Sequence, residues 1–145
     1  MSRVQLALNV SDIDEAVSFY RRLFGTEPAK RRPGYANFAI TRPPLKLVLI
    51  QDPARAGTLS HLGVEVEDTS EVDAEQARLT AAGLTSADER DTACCYARQD
   101  KIWVEGVPDG QSWEIYAVLG DSPVRCGEET GGSCCAAHGG QAACC

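Results

Sequence analysis

Ser60-His61-Leu62-Gly63-Val64-Glu65-Val66 repeats the pattern of Val4-Gln5-Leu6-Ala7-Leu8-Asn9-Val10 without a gap, at a constant offset of 56 residues. Leu62 and Val66 are identical to Leu6 and Val10, and both septets alternate with the period of two that marks a strand. The segment after each septet repeats as well. After the first, Asp12 stands as a helix N-cap with Glu15 at capping-box spacing. Ile13, Ala16, Val17, Tyr20, Leu23 and Phe24 then share one helical face, and Gly25 ends the run. After the second, Asp68 aligns with Asp12, Glu71 with Glu15 and Leu79 with Leu23, so a helix is predicted from about Glu71 to Ala82 with its stop at Gly83.

Three extended segments are predicted after the first helix, at about Glu27–Arg31, Tyr35–Thr41 and Leu45–Gln51, punctuated by Pro33-Gly34 and Pro43-Pro44. The second half predicts extended segments near Thr85–Glu89, Cys95–Gln99, Ile102–Val107 and Ser112–Leu119, with a Pro108-Asp109-Gly110 turn before the last. The chain therefore reads as a duplicated β-α-β-β-β unit. Neither copy covers its own sheet on both faces. The expected architecture is α+β, with the two modules forming one shared, half-open curved sheet over residues 1–120. Module one covers about 1–52 and module two about 59–120. Residues 121–145, with Gly131-Gly132 and Gly139-Gly140, have linker composition and are expected to form a flexible cysteine-rich tail.

The formal net charge of −7 argues against nucleic acid and anionic membrane surfaces as partners, since both require a basic face. No apolar run approaches the ~18–20 residues needed to span a bilayer. The N-terminal stretch enters a strand pattern directly, with no signal-like segment, so a cytoplasmic address is expected. Seven cysteines are many for such a chain, and six of them form three adjacent pairs: Cys94-Cys95, Cys134-Cys135 and Cys144-Cys145. In a reducing compartment they read as metal-binding or reactive thiols. With Cys126, the tail pairs read either as an auxiliary soft-metal scavenger or as a dispensable extension.

Three polar residues are candidates for an inward-facing site. Gln5 and His61 occupy the same position in the two repeats, alternating with residues that pack on a helix, so both point to the opposite face. Glu114 lies between Trp113 and Ile115 on a predicted strand. A carboxylate there is costly to bury unless paired or metal-bound, the alternative being an edge position facing water. Cys94-Cys95 suits a soft, thiophilic centre better than a strained disulfide between neighbours. The plainer alternative is a pair of small buried hydrophobes. On a regular strand their side chains would diverge, so the pair is expected on an irregular or mobile loop that turns both sulfurs the same way.

Paired β-α-β-β-β modules, inward residues on the first strand of each, and a Pro-Asp-Gly turn leading to an apolar-Glu-apolar strand together resemble the vicinal oxygen chelate superfamily. That group includes glyoxalase I, extradiol dioxygenases and the bleomycin resistance proteins. The resemblance implies metal ligands at Gln5, His61 and Glu114. Lys46 stands near the place of the fourth ligand of glyoxalase I and is a poor ligand, so the chain departs from that pattern. One nitrogen and two oxygen donors with open positions suit non-haem Fe(II).

A narrower resemblance rests on Pro33-Gly34-Tyr35-Ala36-Asn37-Phe38-Ala39-Ile40, on Pro44-Leu45-Lys46-Leu47-Val48-Leu49, and on Cys94-Cys95 after Thr92. These stretches are similar to the ArsI carbon–arsenic lyases, a family that takes in cadmium-induced CadI proteins. The resemblance implies Fe(II) as cofactor, dioxygen as co-substrate, and a trivalent organoarsenical held by Cys94 and Cys95. Arsenite is the implied product, and capture is expected to draw the cysteine loop toward the metal. A monomer or a homodimer fits this reading. The competing expectation is a non-catalytic protein that sequesters Cd(II), arsenite or antimonite through its thiols.

Overall fold

A computed structural model describes residues 1–124. They divide into two compact units: Arg3–Leu62, and a second that begins at Gly63 and takes in Met1–Ser2. The chain is α+β, and each unit repeats the same local plan.

The first unit runs β1 (Arg3–Val10), α1 (Ile13–Phe24), β2 (Lys30–Arg32), β3 (Tyr35–Ile40), β4 (Leu45–Gln51) and the opening residues of β5 (Leu59–Val66). Its strands lie in the order β2-β3-β4-β1. β1 and β4 pair in parallel, which requires a crossover, and α1 lies within it. Alternation along β1 sends Leu6, Leu8 and Val10 into a core with Ile13 and Val17 of α1 and with Phe38, Leu47 and Leu49. Gln5, Ala7 and Asn9, on the other face, are also buried.

The ends of α1 are set by its sequence. Asp12 Oδ1 accepts from the Glu15 N–H at 2.9 Å, and Gln51 Oε1 accepts from the Ile13 N–H at 3.0 Å. Two of the otherwise unpaired N–H groups are thus satisfied. Gly25 closes the helix with φ +61°, and a Cβ there would meet nothing within 4 Å. Any cost of Gly25→Ala is therefore conformational. That variant is expected to lose about 1 kcal/mol, read as a lower denaturation midpoint in urea at unchanged slope.

The second unit takes the rest of β5, then α2 (Thr69–Ala81), β6 (Ser86–Cys94), β7 (Ala97–Val104) and β8 (Trp113–Asp121). Its strand order, β5-β8-β7-β6, is the duplicate of the first. Val66, Val72, Leu79, Ile102, Ile115 and Ala117 form its core. The cap recurs at Asp68, whose Oδ1 accepts from the Glu71 N–H at 3.1 Å, while Glu71 Oε2 accepts from the Glu67 N–H.

Several boundaries differ from the sequence expectation. The segments expected at Cys95–Gln99 and Ile102–Val107 are one continuous strand, β7, so the second unit has three strands after α2 rather than four. Gln99-Asp100-Lys101 reads as a polar break, but its alternation is absorbed on both faces. Gln99 and Lys101 are buried. The intervening Asp100 carboxylate accepts from Thr69 Oγ1 at 2.6 Å and from the Asp91 N–H at 2.7 Å. The latter bond sits at a bulge in β6 between Glu89 and Thr92, where Asp91 takes φ 47°. β2 is shorter and later than expected, and α2 begins at Thr69. β8 continues to Asp121, and the Ser122 N–H donates to the Tyr96 carbonyl at 3.0 Å, so regular pairing passes residue 120. The auxiliary thiols Cys126, Cys134, Cys135, Cys144 and Cys145 lie outside the described residues. No helix among the described residues is long and apolar enough to cross a membrane.

Candidate functional site

In the first unit, the repeat brings Gln5 and His61 together. Both are buried, and Gln5 Nε2 lies 3.1 Å from His61 Nε2. His61 Nδ1 lies 3.1 Å from Ser60 Oγ. A proton on Nδ1 donated to Ser60 leaves the Nε2 lone pair turned toward the Gln5 amide. That is the tautomer a metal-ligating imidazole needs, with its second nitrogen oriented by an outer partner. Lys46 is the register partner of Gln5 across the β1–β4 pair.

In the second unit, Glu114 is 1% exposed. This decides against the water-facing edge carboxylate. Its Oε2 accepts from Lys101 Nζ at 2.8 Å, and Lys101 is itself 0% exposed and lies 5.2 Å from the Trp103 ring centroid. Burial alone would push the Lys101 ammonium pKa down. Glu114, with help from Cys95 and Glu89, outweighs burial and leaves it raised. The Tyr116 hydroxyl donates to Glu65 Oε2 at 3.2 Å, and its pKa is pushed well up by burial first and then by Glu65, Glu114 and Cys95. The same buried face carries Gln99, whose Nε2 donates to the Cys94 carbonyl at 3.5 Å and whose Oε1 has no partner among the described residues. Sequence reasoning misses Lys101, Gln99 and Tyr116. The usable signal is the period-two run Ala97, Gln99, Lys101, Trp103, legible only once β7 is read as continuous.

The cysteine pair is not on a long loop. Cys94 ends β6 and pairs with Ala97, which leaves Cys95 and Tyr96 as a two-residue hairpin turn. Both turn residues have positive φ, 54° and 59°, the signature of a type I′ turn that favours Asn and Gly. Holding cysteine and tyrosine there costs about 1–3 kcal/mol each in backbone strain, of the kind concentrated at functional sites. The left-handed residue also solves the geometric problem of adjacent side chains. It brings the Cys94 and Cys95 sulfurs within 3.9 Å, both residues being buried. The expected irregularity is present. It takes the form of a tight turn that sets both sulfurs on the same side. Cys94 is disulfide-bonded and Cys95 is not, so a dithiol at this turn is its reduced form.

Among the described residues, no three His, Cys, Asp or Glu side chains converge as a metal cluster. The donor types present fit a divalent ion: in the first unit a buried imidazole beside an amide, and in the second a buried carboxylate.

Residues 3–115 match the profile described as Glyoxalase/Bleomycin resistance protein/Dioxygenase superfamily. The chain is 63% identical over 122 residues to the cadmium-induced protein CadI of Mycobacterium bovis, covering 84% of this chain and 80% of that one. It is 59% identical over 123 residues to a trivalent organoarsenical cleaving enzyme of Thermomonospora curvata, covering 84% and 81%. In fold it is similar to the crystal structure of the Mn(II)-bound glyoxalase from Novosphingobium aromaticivorans. There the TM-score is 0.56 at 22% identity, over 86% of this chain and 42% of that chain.

Proposed function

The chain belongs to the Glyoxalase/Bleomycin resistance protein/Dioxygenase superfamily, and on that premise we propose that it is an Fe(II)- and dioxygen-dependent carbon–arsenic lyase. Its substrates are trivalent methylarsenicals, and aromatic arsenicals of the same oxidation state, and its product is arsenite. The observation that carries the reading is the cysteine turn: two adjacent sulfurs 3.9 Å apart, held there by a left-handed residue. The relative in Thermomonospora curvata, named as a trivalent organoarsenical cleaving enzyme, supports it.

A trivalent arsenical with one carbon substituent has two exchangeable positions. With Cys94 reduced, Cys94 and Cys95 replace both As–O bonds by As–S bonds, and each thiol proton leaves in a molecule of water. The arsenic is then fixed and its carbon substituent is the one group left on it. Gln5, His61 and Glu114 would hold Fe(II), through one nitrogen and two oxygen donors. When bound, Fe(II) supplies the activation of dioxygen that oxidises the arsenic-bound carbon. Ser60, 3.1 Å from His61 Nδ1, would orient the imidazole for this role by accepting its Nδ1 proton, and burial keeps water from the carboxylate of Glu114. A reducing cytoplasm keeps the cysteine pair in its working form.

The test is to load the protein with Fe(II), add methylarsenite in air with excess thiol reductant, and separate the arsenic species by chromatography. Conversion to arsenite is expected. Methylarsenite that stays protein-bound and unchanged would replace this reading with thiol-based sequestration, the reading that fits a cadmium-induced relative.

A further inference from the structure

The Lys101–Glu114 pair has a consequence for metal binding. A lysine at 0% exposure is rare, and this one donates to the carboxylate that the proposed function assigns to the metal. The two residues lie on neighbouring strands, β7 and β8. Trp103 is the direct register partner of Glu114, and Lys101 is the partner of Tyr116. Lys101 thus reaches Glu114 along the diagonal of the ladder, within the range of a long side chain. Its stem is enclosed and its ammonium lies 5.2 Å from the Trp103 ring centroid.

We propose that Lys101 is a positioning residue for metal binding: it holds Glu114 by Oε2, so that the carboxylate meets the metal through one oxygen, and its fixed positive charge weakens and loosens that metal. The inference rests on the reading of Glu114 as a metal ligand. The physical reasoning turns on the sign of a charge. Outer partners of metal ligands are commonly carboxylates or carbonyls, which make the ligand more basic, and their removal costs ~10–100-fold in affinity. A cationic partner acts the other way. It draws electron density from the carboxylate and repels a divalent ion in a poorly screened site. It also compensates Glu114 when no metal is there, so the metal-free protein keeps a satisfied carboxylate. An exchangeable metal with open positions is the outcome.

The experiment measures Co(II) affinity by calorimetry and visible absorption under anaerobic conditions, together with melting temperature with and without Co(II). Lys101→Met is compared with Lys101→Gln, a neutral side chain that keeps a donor, with Lys101→Arg, and with Glu114→Gln. Lys101→Met and Lys101→Gln are expected to bind Co(II) about 10-fold or more tightly than wild type, the sign opposite to loss of an anionic partner. They are expected to melt lower without metal and to recover with it. Lys101→Arg keeps the charge and stays near wild type. A merely structural lysine would lower the melting temperature but would not raise the affinity. If Glu114→Gln loses Co(II) binding while both neutral Lys101 variants bind no more tightly than wild type, the role of Lys101 is overturned and Glu114 stands as a ligand. If Glu114→Gln binds Co(II) as wild type does, the assignment of Glu114 fails, and the role of Lys101 fails with it.

Discussion

Replacing either Cys94 or Cys95 by serine is expected to lower kcat/KM for methylarsenite by ~10²–10⁴-fold, the advantage gained when a second bond closes intramolecularly. The sulfurs stand 3.9 Å apart, so once one thiolate has bonded to arsenic the other is within reach without a search. Serine keeps the size and the turn conformation but not the affinity for a soft centre. Under reducing conditions, where Cys94 carries no disulfide in the wild type either, the single variants should therefore fold as wild type and retain metal binding, while substrate capture fails. The loss belongs in KM if capture alone is affected. It extends to kcat if the remaining sulfur cannot keep the substrate carbon in place. Steady-state kinetics on Cys94→Ser, Cys95→Ser and the double variant decide it, because two residues acting as one chelate make the double variant little worse than either single one. A double variant that turns methylarsenite over at the wild-type rate would remove the cysteine turn from the mechanism.

Glu114→Ala is expected to cost roughly 3–5 kcal/mol of stability in the metal-free protein, since it strands the Lys101 ammonium inside the fold. Both partners are essentially without solvent contact and their bond is 2.8 Å long, so water cannot take over the role of the carboxylate. In a chain of 145 residues this lowers the melting temperature by roughly 10 °C or more. The double variant Glu114→Met/Lys101→Met is expected to recover most of the loss, because exchanging a buried ion pair for apolar side chains of similar volume is often neutral or better. Urea denaturation of Glu114→Met, Lys101→Met and the double variant closes the cycle. A single-variant loss below about 1 kcal/mol, the range of an exposed ion pair, would show that the pair is solvated in solution.

Much of this arrangement is legible in the chain because its signals are local. Capping at Asp12 and Asp68 needs only a carboxylate and an N–H three residues away, and both bonds form as the spacing implies. The period of two in β1 and β5 assigns one face to the helix and the other to Gln5 and His61. The internal repeat then sets these two side chains side by side, and their ring and amide nitrogens meet at 3.1 Å. The strands of the second unit are harder to read. Gln99-Asp100-Lys101 looks like a break because three polar residues in a row normally face water. Nothing in the local sequence says that Asp100 accepts from Thr69, 31 residues away, or that Lys101 bonds to Glu114, 13 residues on.

By itself the sequence determined the duplicated strand-helix-strand order, the inward direction of Gln5 and His61, and the presence of a vicinal thiol pair. Periodicity, caps and composition act over a few residues, and a repeat needs only self-comparison. Tertiary structure decided how the chemistry is held. It placed Cys95 in a left-handed turn, where the sign of one backbone angle sets whether adjacent sulfurs converge or diverge. It also buried a lysine against Glu114, and a buried charge has meaning only once its partner across the sheet is in place.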